Sequence, residues 1–591
     1  MNLNPHDQHT GLKAEMGLNM KTYQNYDKYP EKQIVGHQAV TGWEAIRKAI
    51  TAHCGERGVV VVELYPGVNR EEVGAELAGL GGFLFDAESC TISHEEYHHL
   101  IAPFLTDDRV FGIMNTLTIP EIYDNDKIKN MREKLRQLRG KGPVVIYGTG
   151  ASLVADGDLL IYLDMPRWEI QCRFQRGMAN WKTDNGDMDT LRKFKQGFFV
   201  EWRMADRLKR RLFDKMDFIV ETIVPNIPKM VTGEGFRSGL EAFASQPFRL
   251  VPYFAPEVWG GQWMKEVCGL DRDVENYAWA FDGVPEENSI YMRFGDVRME
   301  FPSIDVVFYR PGELLGQQVY ARFGDEFPIR FDFLDTMGGQ NLSLQVHPLT
   351  AYIQHTFGMH YTQDESYYIM DCDDNAVVYL GLKEDADKED MQDELRRAQE
   401  TGVIFDAKQY VNIWPVKKHD HFLIPAGTIH CSGKNTMVLE ISATPYIFTF
   451  KLWDWGRLGL DGKPRPVHLE HGMHVIQWER RTAWVKENLI NRIEKISEKP
   501  GFLEERTGLH EREFIETCRY YLENRQIFNG GDSVSMCNVV EGSGAIITSP
   551  EGLFEPYEVH YAETFIIPAS VLRFAIEPLE KSCMILRAVV R

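Results

Sequence analysis

Gln345 and His347 stand two residues apart in the apolar stretch 341–347. In an extended strand that spacing puts both side chains on one face, where they can converge on a single ligand. Two further runs bring partners: 365–370 opens with the carboxylate of Glu365, and 422–430 ends in the imidazole of His430 after a Pro/Gly turn. Two imidazoles, one carboxylate and one amide oxygen, with no thiolate, suit Zn²⁺, and Fe²⁺ or Mn²⁺ tolerate the same donors. Such a set leaves a coordination position for water or substrate, so the chemistry would be catalytic rather than structural. Taken singly, each of these residues also fits a hydrogen-bonded polar group of a core strand.

The surrounding pattern separates these readings. Pro425-x-Gly427-x-x-His430 resembles the second cupin motif, and from Pro256 to Arg457 the chain resembles the class I mannose-6-phosphate isomerases. The matching segments, in order, are 256–261 (PEVWGG), 327–335 (FPIRFDFLD), 342–348 (LSLQVHP), 379–383 (YLGLK), 424–430 and 454–457 (DWGR). Six ordered matches over about 200 residues outweigh any single motif. The resemblance implies a metal-dependent aldose–ketose isomerase that interconverts mannose 6-phosphate and fructose 6-phosphate through an enediol-type proton transfer. It implies metal ligands Gln345, His347, Glu365 and His430, and substrate contacts at Lys383 and Trp259. It also points to Glu440 as acid–base group, which a hydrogen-bonded strand carboxylate would explain as well, and to Arg457 for charge stabilisation, which could instead pair with Asp454. Two family lysines are replaced, by Asp332 and Gln363. Either the phosphate site has moved to Arg330, Lys383 or Lys451, or the substrate differs. A dianionic phosphate facing Asp332 without compensation would lose binding energy.

The positioning elements follow from composition and periodicity. The 591 residues, 43% hydrophobic and 26% charged, predict a folded multidomain protein. A net charge of −22 disfavours a nucleic-acid partner. Nine cysteines without paired spacing, a polar start and no membrane-length apolar run predict a reduced, cytoplasmic protein away from membranes. The partner is then a small sugar phosphate; oligomeric state is left open.

The expected fold is multidomain: a doubly wound α/β domain followed by an all-β cupin pair with a helical insertion. Residues 1–40 read as an arm. Within 41–235, short apolar runs at 58–64, 82–86, 143–148 and 159–164 read as buried parallel strands. This region resembles nucleoside and uridine kinase-like P-loop domains, with Arg173, Arg176 and Lys182 resembling a basic lid. Yet it lacks GxxxxGK[ST], and Glu63, Glu71 and Glu72 bring negative charge where phosphates would sit. A degenerate domain is expected, and Gly148-Thr149-Gly150 is too weak a signal to reverse that. Near 201–216 a solvated charged helix is expected, and 250–470 reads as the metal-binding cupin core, with a helical insertion at 383–402. One amphipathic helix is expected over 474–500, and a second barrel over 501–591, metal-free because Arg573 takes the position of His430. Two rival functions remain: a non-catalytic sugar-phosphate-binding or regulatory cupin, and a bifunctional kinase–isomerase.

Overall fold

The computed structural model describes residues 25–443, 446–508 and 510–591. Most of the expected arm lies outside them, but residues 31–33 form a strand that runs parallel to Ser289–Phe294. Beside it, Tyr26 donates to Asp282 at 2.7 Å. The start of the described chain is thus tied to its second half.

The apolar runs of the first domain become parallel strands. Their order across the sheet is Phe83–Asp86, Val144–Gly148, Val59–Leu64, Leu159–Asp164, Phe218–Glu221, followed by the antiparallel strands Lys229–Thr232 and Val40–Thr41. All six residues of Val59–Leu64 are buried, as a β-branched strand covered on both faces requires. Helices such as Arg70–Ala78 and Asn125–Leu138 lie between consecutive strands.

At the carboxyl ends of the central strands, where open α/β sheets hold their ligands, the chain's own charged groups are paired with one another or with backbone amides. Glu63 accepts from the amides of Gly150 and, at 2.8 Å, Ser152, so a carboxylate already occupies the Gly148-Thr149-Gly150 turn. Lys209 sits buried with its ammonium 2.5 Å from both Asp164 and Asp305. Arg167 joins Asp206 at 2.6 Å and also pairs with Glu286. Asp305 and Glu286 belong to the cupin half, so this network joins the two halves. The expected solvated helix is corrected for its first part: Trp202–Lys209 is a largely buried helix in which Arg203, Asp206 and Lys209 are ion-paired and Arg207 donates to the Asn115 and Leu117 carbonyls. Of the expected lid, Arg173 is instead buried against Glu169 and the carbonyls of Gly67 and Thr222, while Arg176 is exposed.

The second half is built on two sheets of a cupin-like domain. One runs His421–Ile424, Glu365–Cys372, Thr436–Ser442, Arg330–Asp335, Trp279–Gly283, Tyr253–Ala255; the other runs Val411–Pro415, Val377–Leu382, His430–Ser432, Leu344–Val346, Phe450–Trp453. The insertion is the helix Lys388–Thr401, capped by Asp387, ended by Gly402 at φ 74°, and packed through Met391, Leu395 and Ala398. Two sheets over 494–590 form the last β-unit.

The single helix expected over 474–500 is not found. Instead Leu469–Val475 and Thr482–Asn488 are separate helices, and Glu494–Lys499 is a strand. Asn491 has φ 49°, a left-handed conformation that stops a helix. Pairing of Glu494–Lys499 with Phe502–Gly508 then overrides the helical periodicity.

Candidate metal centre

The two sheets meet where the donor residues converge. Leu344–Val346 and His430–Ser432 are neighbours in one sheet, with Gln345 opposite His430. Glu365 begins a strand of the other. His347 Nε2 lies 3.0 Å and His430 Nε2 2.8 Å from the two oxygens of Glu365. All three side chains are wholly buried. His347, Glu365 and His430 are the one His/Cys/Asp/Glu group found with metal-binding spacing among the described residues. The amide nitrogen of Gln345 is 3.3 Å from His430 Nε2, which brings the fourth expected ligand to the same point.

The imidazoles are oriented from behind. His347 Nδ1 faces the carbonyl of Phe448 and His430 Nδ1 that of Thr428, both at 2.9 Å, so each ring turns Nε2 inward. His347 Nε2 and Glu365 Oε1 lack a hydrogen-bond partner of proper geometry although both are buried. A divalent cation fits this set, because burying such groups unsatisfied is costly.

Electrostatics agree with that geometry. Burial alone would raise the Glu365 carboxyl, but His347 and His430 outweigh it and hold the group well below its usual range. Burial would lower His347, yet Glu365 raises it. Glu440 behaves oppositely: burial, then the charges of Glu365 and Asp332, push its carboxyl well above the usual range. Its strand register explains the setting, since Glu440 stands opposite Asp332 on one side and Tyr367 on the other. Burial thus disfavours the charged form of Glu440 in the interior that holds the cluster.

The other expected site residues lie at varied distances from this chemistry. Arg457 pairs with Asp454 at 2.5 Å and donates to the carbonyl of Asn341 at 2.7 Å. Asp454 is shared with Arg465, which also reaches Glu257 at 2.8 Å. Trp259 is fully buried, edge-on to Trp279, and so has no ring face open to solvent. The Lys383 backbone amide bonds Tyr410, and its ammonium makes no hydrogen bond or ion pair among the described residues. Arg330 is committed to Asp332 at 2.5 Å.

Two residues that matter here carry no local sequence signal. Gln363, visible only as the replacement of an expected lysine, accepts from the Phe448 amide at 2.9 Å and donates to Glu365 Oε2 at 3.0 Å. Phe448 reads as one more aromatic of a strand-like run, but its backbone bonds both His347 and Gln363.

Residues 42–245 match a family described as a domain of unknown function, DUF8485. Over 335 residues the chain is 25% identical to the Bacillus subtilis "Probable mannose-6-phosphate isomerase GmuF", covering 56% of this chain and 96% of that protein. It is 28% identical over 235 residues to a mannose-6-phosphate isomerase of Streptococcus mutans, covering 39% of this chain and 68% of that one. The crystal structure of the Bacillus subtilis mannose 6-phosphate isomerase aligns with 58% of this chain and 99% of its own, at 20% identity and a TM-score of 0.48. About 55% of the chain is thus homologous to mannose-6-phosphate isomerases.

Proposed function

We propose that this chain is a metal-dependent aldose–ketose isomerase that interconverts mannose 6-phosphate and fructose 6-phosphate. One observation carries the proposal: His347, Glu365 and His430 converge in a buried interior beside Gln345. The homology over about 55% of the chain supports the same reading. A divalent cation on these ligands, Zn²⁺ being the first choice, would stabilise the negative charge that develops when a proton leaves the carbon next to the carbonyl. Glu440 is assigned to hold and transfer the proton that moves between C1 and C2 of the open-chain sugar. Arg457, paired with Asp454, is assigned to add positive charge in the reaction.

The phosphate needs a cation to stand in for the lysines replaced by Asp332 and Gln363. Arg330 pairs with Asp332 through Nε, while its two terminal nitrogens are buried without a hydrogen-bond partner; the other candidates are Lys451 and Lys383. Lys451 is the better placed, being opposite Gln345 in register and hence on the same face of the sheet. Burial, reinforced by Arg465, lowers its ammonium to about 8, and it makes no hydrogen bond or ion pair among the described residues. An anionic group would restore what that site lacks.

Residues 41–235 are read as a doubly wound domain derived from a kinase-like fold and devoid of nucleotide chemistry. The five parallel strands support the first part, and the carboxylates at the strand ends support the second. ATP with Mg²⁺ is expected to leave the melting temperature unchanged; a rise would revive the bifunctional alternative.

Stripping the metal and supplying Zn²⁺ again tests the activity. Fructose 6-phosphate is expected from mannose 6-phosphate only in the reloaded protein. No product despite one bound equivalent would favour a binding protein instead.

A further inference from the structure

We propose that the first domain positions the metal ligands of the second, with Phe111 and Phe199 as positioning residues acting through Phe448. The inference rests on the metal reading above and explains why the two halves share one chain.

The path is short and physical. The Phe448 carbonyl holds His347 Nδ1 at 2.9 Å, and its amide donates to Gln363 at 2.9 Å. Gln363 in turn donates to Glu365 at 3.0 Å. One peptide segment therefore sets the orientation of one ligand directly and of another through a single amide. Phe448 precedes the strand Phe450–Trp453 and lies outside its ladder, so sheet pairing does not fix that segment.

The segment is fixed by side chains, and the first domain supplies most of them. The Phe448 ring stacks on Phe111 with centroids 5.2 Å apart and planes within 13°. Phe199 meets the same ring edge-on at 6.1 Å. Two residues earlier, Tyr446 packs on Phe198 at 4.3 Å and donates its hydroxyl to the Val110 carbonyl at 2.9 Å. Phe111, Phe199 and Phe448 are each at most 1% exposed, and the Phe111 backbone N–H donates to Asp108 Oδ1 at 2.7 Å. In the cupin half, Phe357 completes the cluster at 5.0 Å from Phe448, and its carbonyl accepts from Met114 of the first domain at 2.8 Å. Close packing transmits such a constraint, because a gap beside the ring frees the peptide whose carbonyl and amide the ligands need. Outer partners of this kind typically govern about 10–100-fold in metal affinity.

The test is Zn²⁺ affinity of the metal-stripped, full-length protein, measured by competition with a chromophoric chelator in the absence of sugar. Phe111→Ala is expected to bind Zn²⁺ about 10–100-fold more weakly than wild type, and Phe111→Leu, which fills part of the gap, to fall between them. Leu135→Ala in the helix Asn125–Leu138 removes buried side chain in the same domain without touching the segment, and is expected to keep wild-type affinity. If Phe111→Ala does not fold, Phe111→Leu is read against Leu135→Ala in its place. Wild-type affinity in a folded Phe111 variant, or an equal loss in Leu135→Ala, would overturn the positioning role. His347→Ala separates the two levels, since wild-type Zn²⁺ affinity in that variant contradicts the metal site itself rather than its support.

Discussion

At the residue scale, the convergence of His347, Glu365 and His430 was legible because strand periodicity and a Pro/Gly turn place side chains with few free parameters. For Gln345 and His347, spacing gave a shared strand face, and the resemblance was needed to read them as ligands. Glu365 and His430 needed the resemblance to choose between ligand and core polar group, and the structure brings them together at 2.8 Å. Gln363 was legible only as a missing lysine; its role depends on a backbone amide 85 residues away, which no local pattern encodes. Glu440→Gln is expected to lower kcat about 10²–10⁴-fold, the usual contribution of a positioned acid–base group, while Zn²⁺ affinity stays within a few-fold. If kcat survives, Glu440 is only a strand carboxylate. Lys451→Gln should raise KM for the sugar phosphate about tenfold or more with a smaller change in kcat, and steady-state kinetics would assign the phosphate elsewhere if KM held.

At the element scale, the sequence read well where local and tertiary signals agree. Lys388–Thr401 has Asp387 before it, Gly402 after it and three apolar residues at helical spacing. It read poorly over 474–500, where an edge strand carries helix-like charges, and over 201–216, where buried ion pairs look like a solvated face. The strand His421–Ile424 supplies a pH prediction. Burial pushes the His421 imidazole down to about 3, and His468 and His510 down to about 4. A histidine depressed in the folded state contributes stability that is complete above its unfolded pKa and is lost as pH falls below it. Between about pH 6.5 and pH 5, each such group should remove roughly 2 kcal/mol. Chemical denaturation at pH 7 and pH 5 should reveal that loss, and His421→Leu should make it smaller. An unchanged slope in the variant would show that His421 does not stay neutral.

At the scale of the whole molecule, the switch from continuous apolar runs to short aromatic ones matches the change from a parallel sheet to antiparallel sheets, but the contacts that join them were not legible. Lys209 lies between Asp164 and Asp305, from different halves, and such pairing across about 100 residues leaves no periodic trace. Lys209→Met should destabilise by about 3–5 kcal/mol, because it leaves two buried carboxylates without their cation. The chain should still unfold in one transition. Two transitions in wild type would contradict a shared core.

The central claim concerns proton transfer at the buried metal centre. The most direct measurement is NMR of the Zn²⁺-loaded protein with mannose 6-phosphate in deuterated water, alongside the same protein with chelator and His347→Ala. The account predicts fructose 6-phosphate with deuterium at C1 and at C2 of recovered aldose, in the loaded wild type alone. Product that forms equally in chelator or in His347→Ala would contradict it, as would a metal-loaded protein that leaves the sugar unchanged.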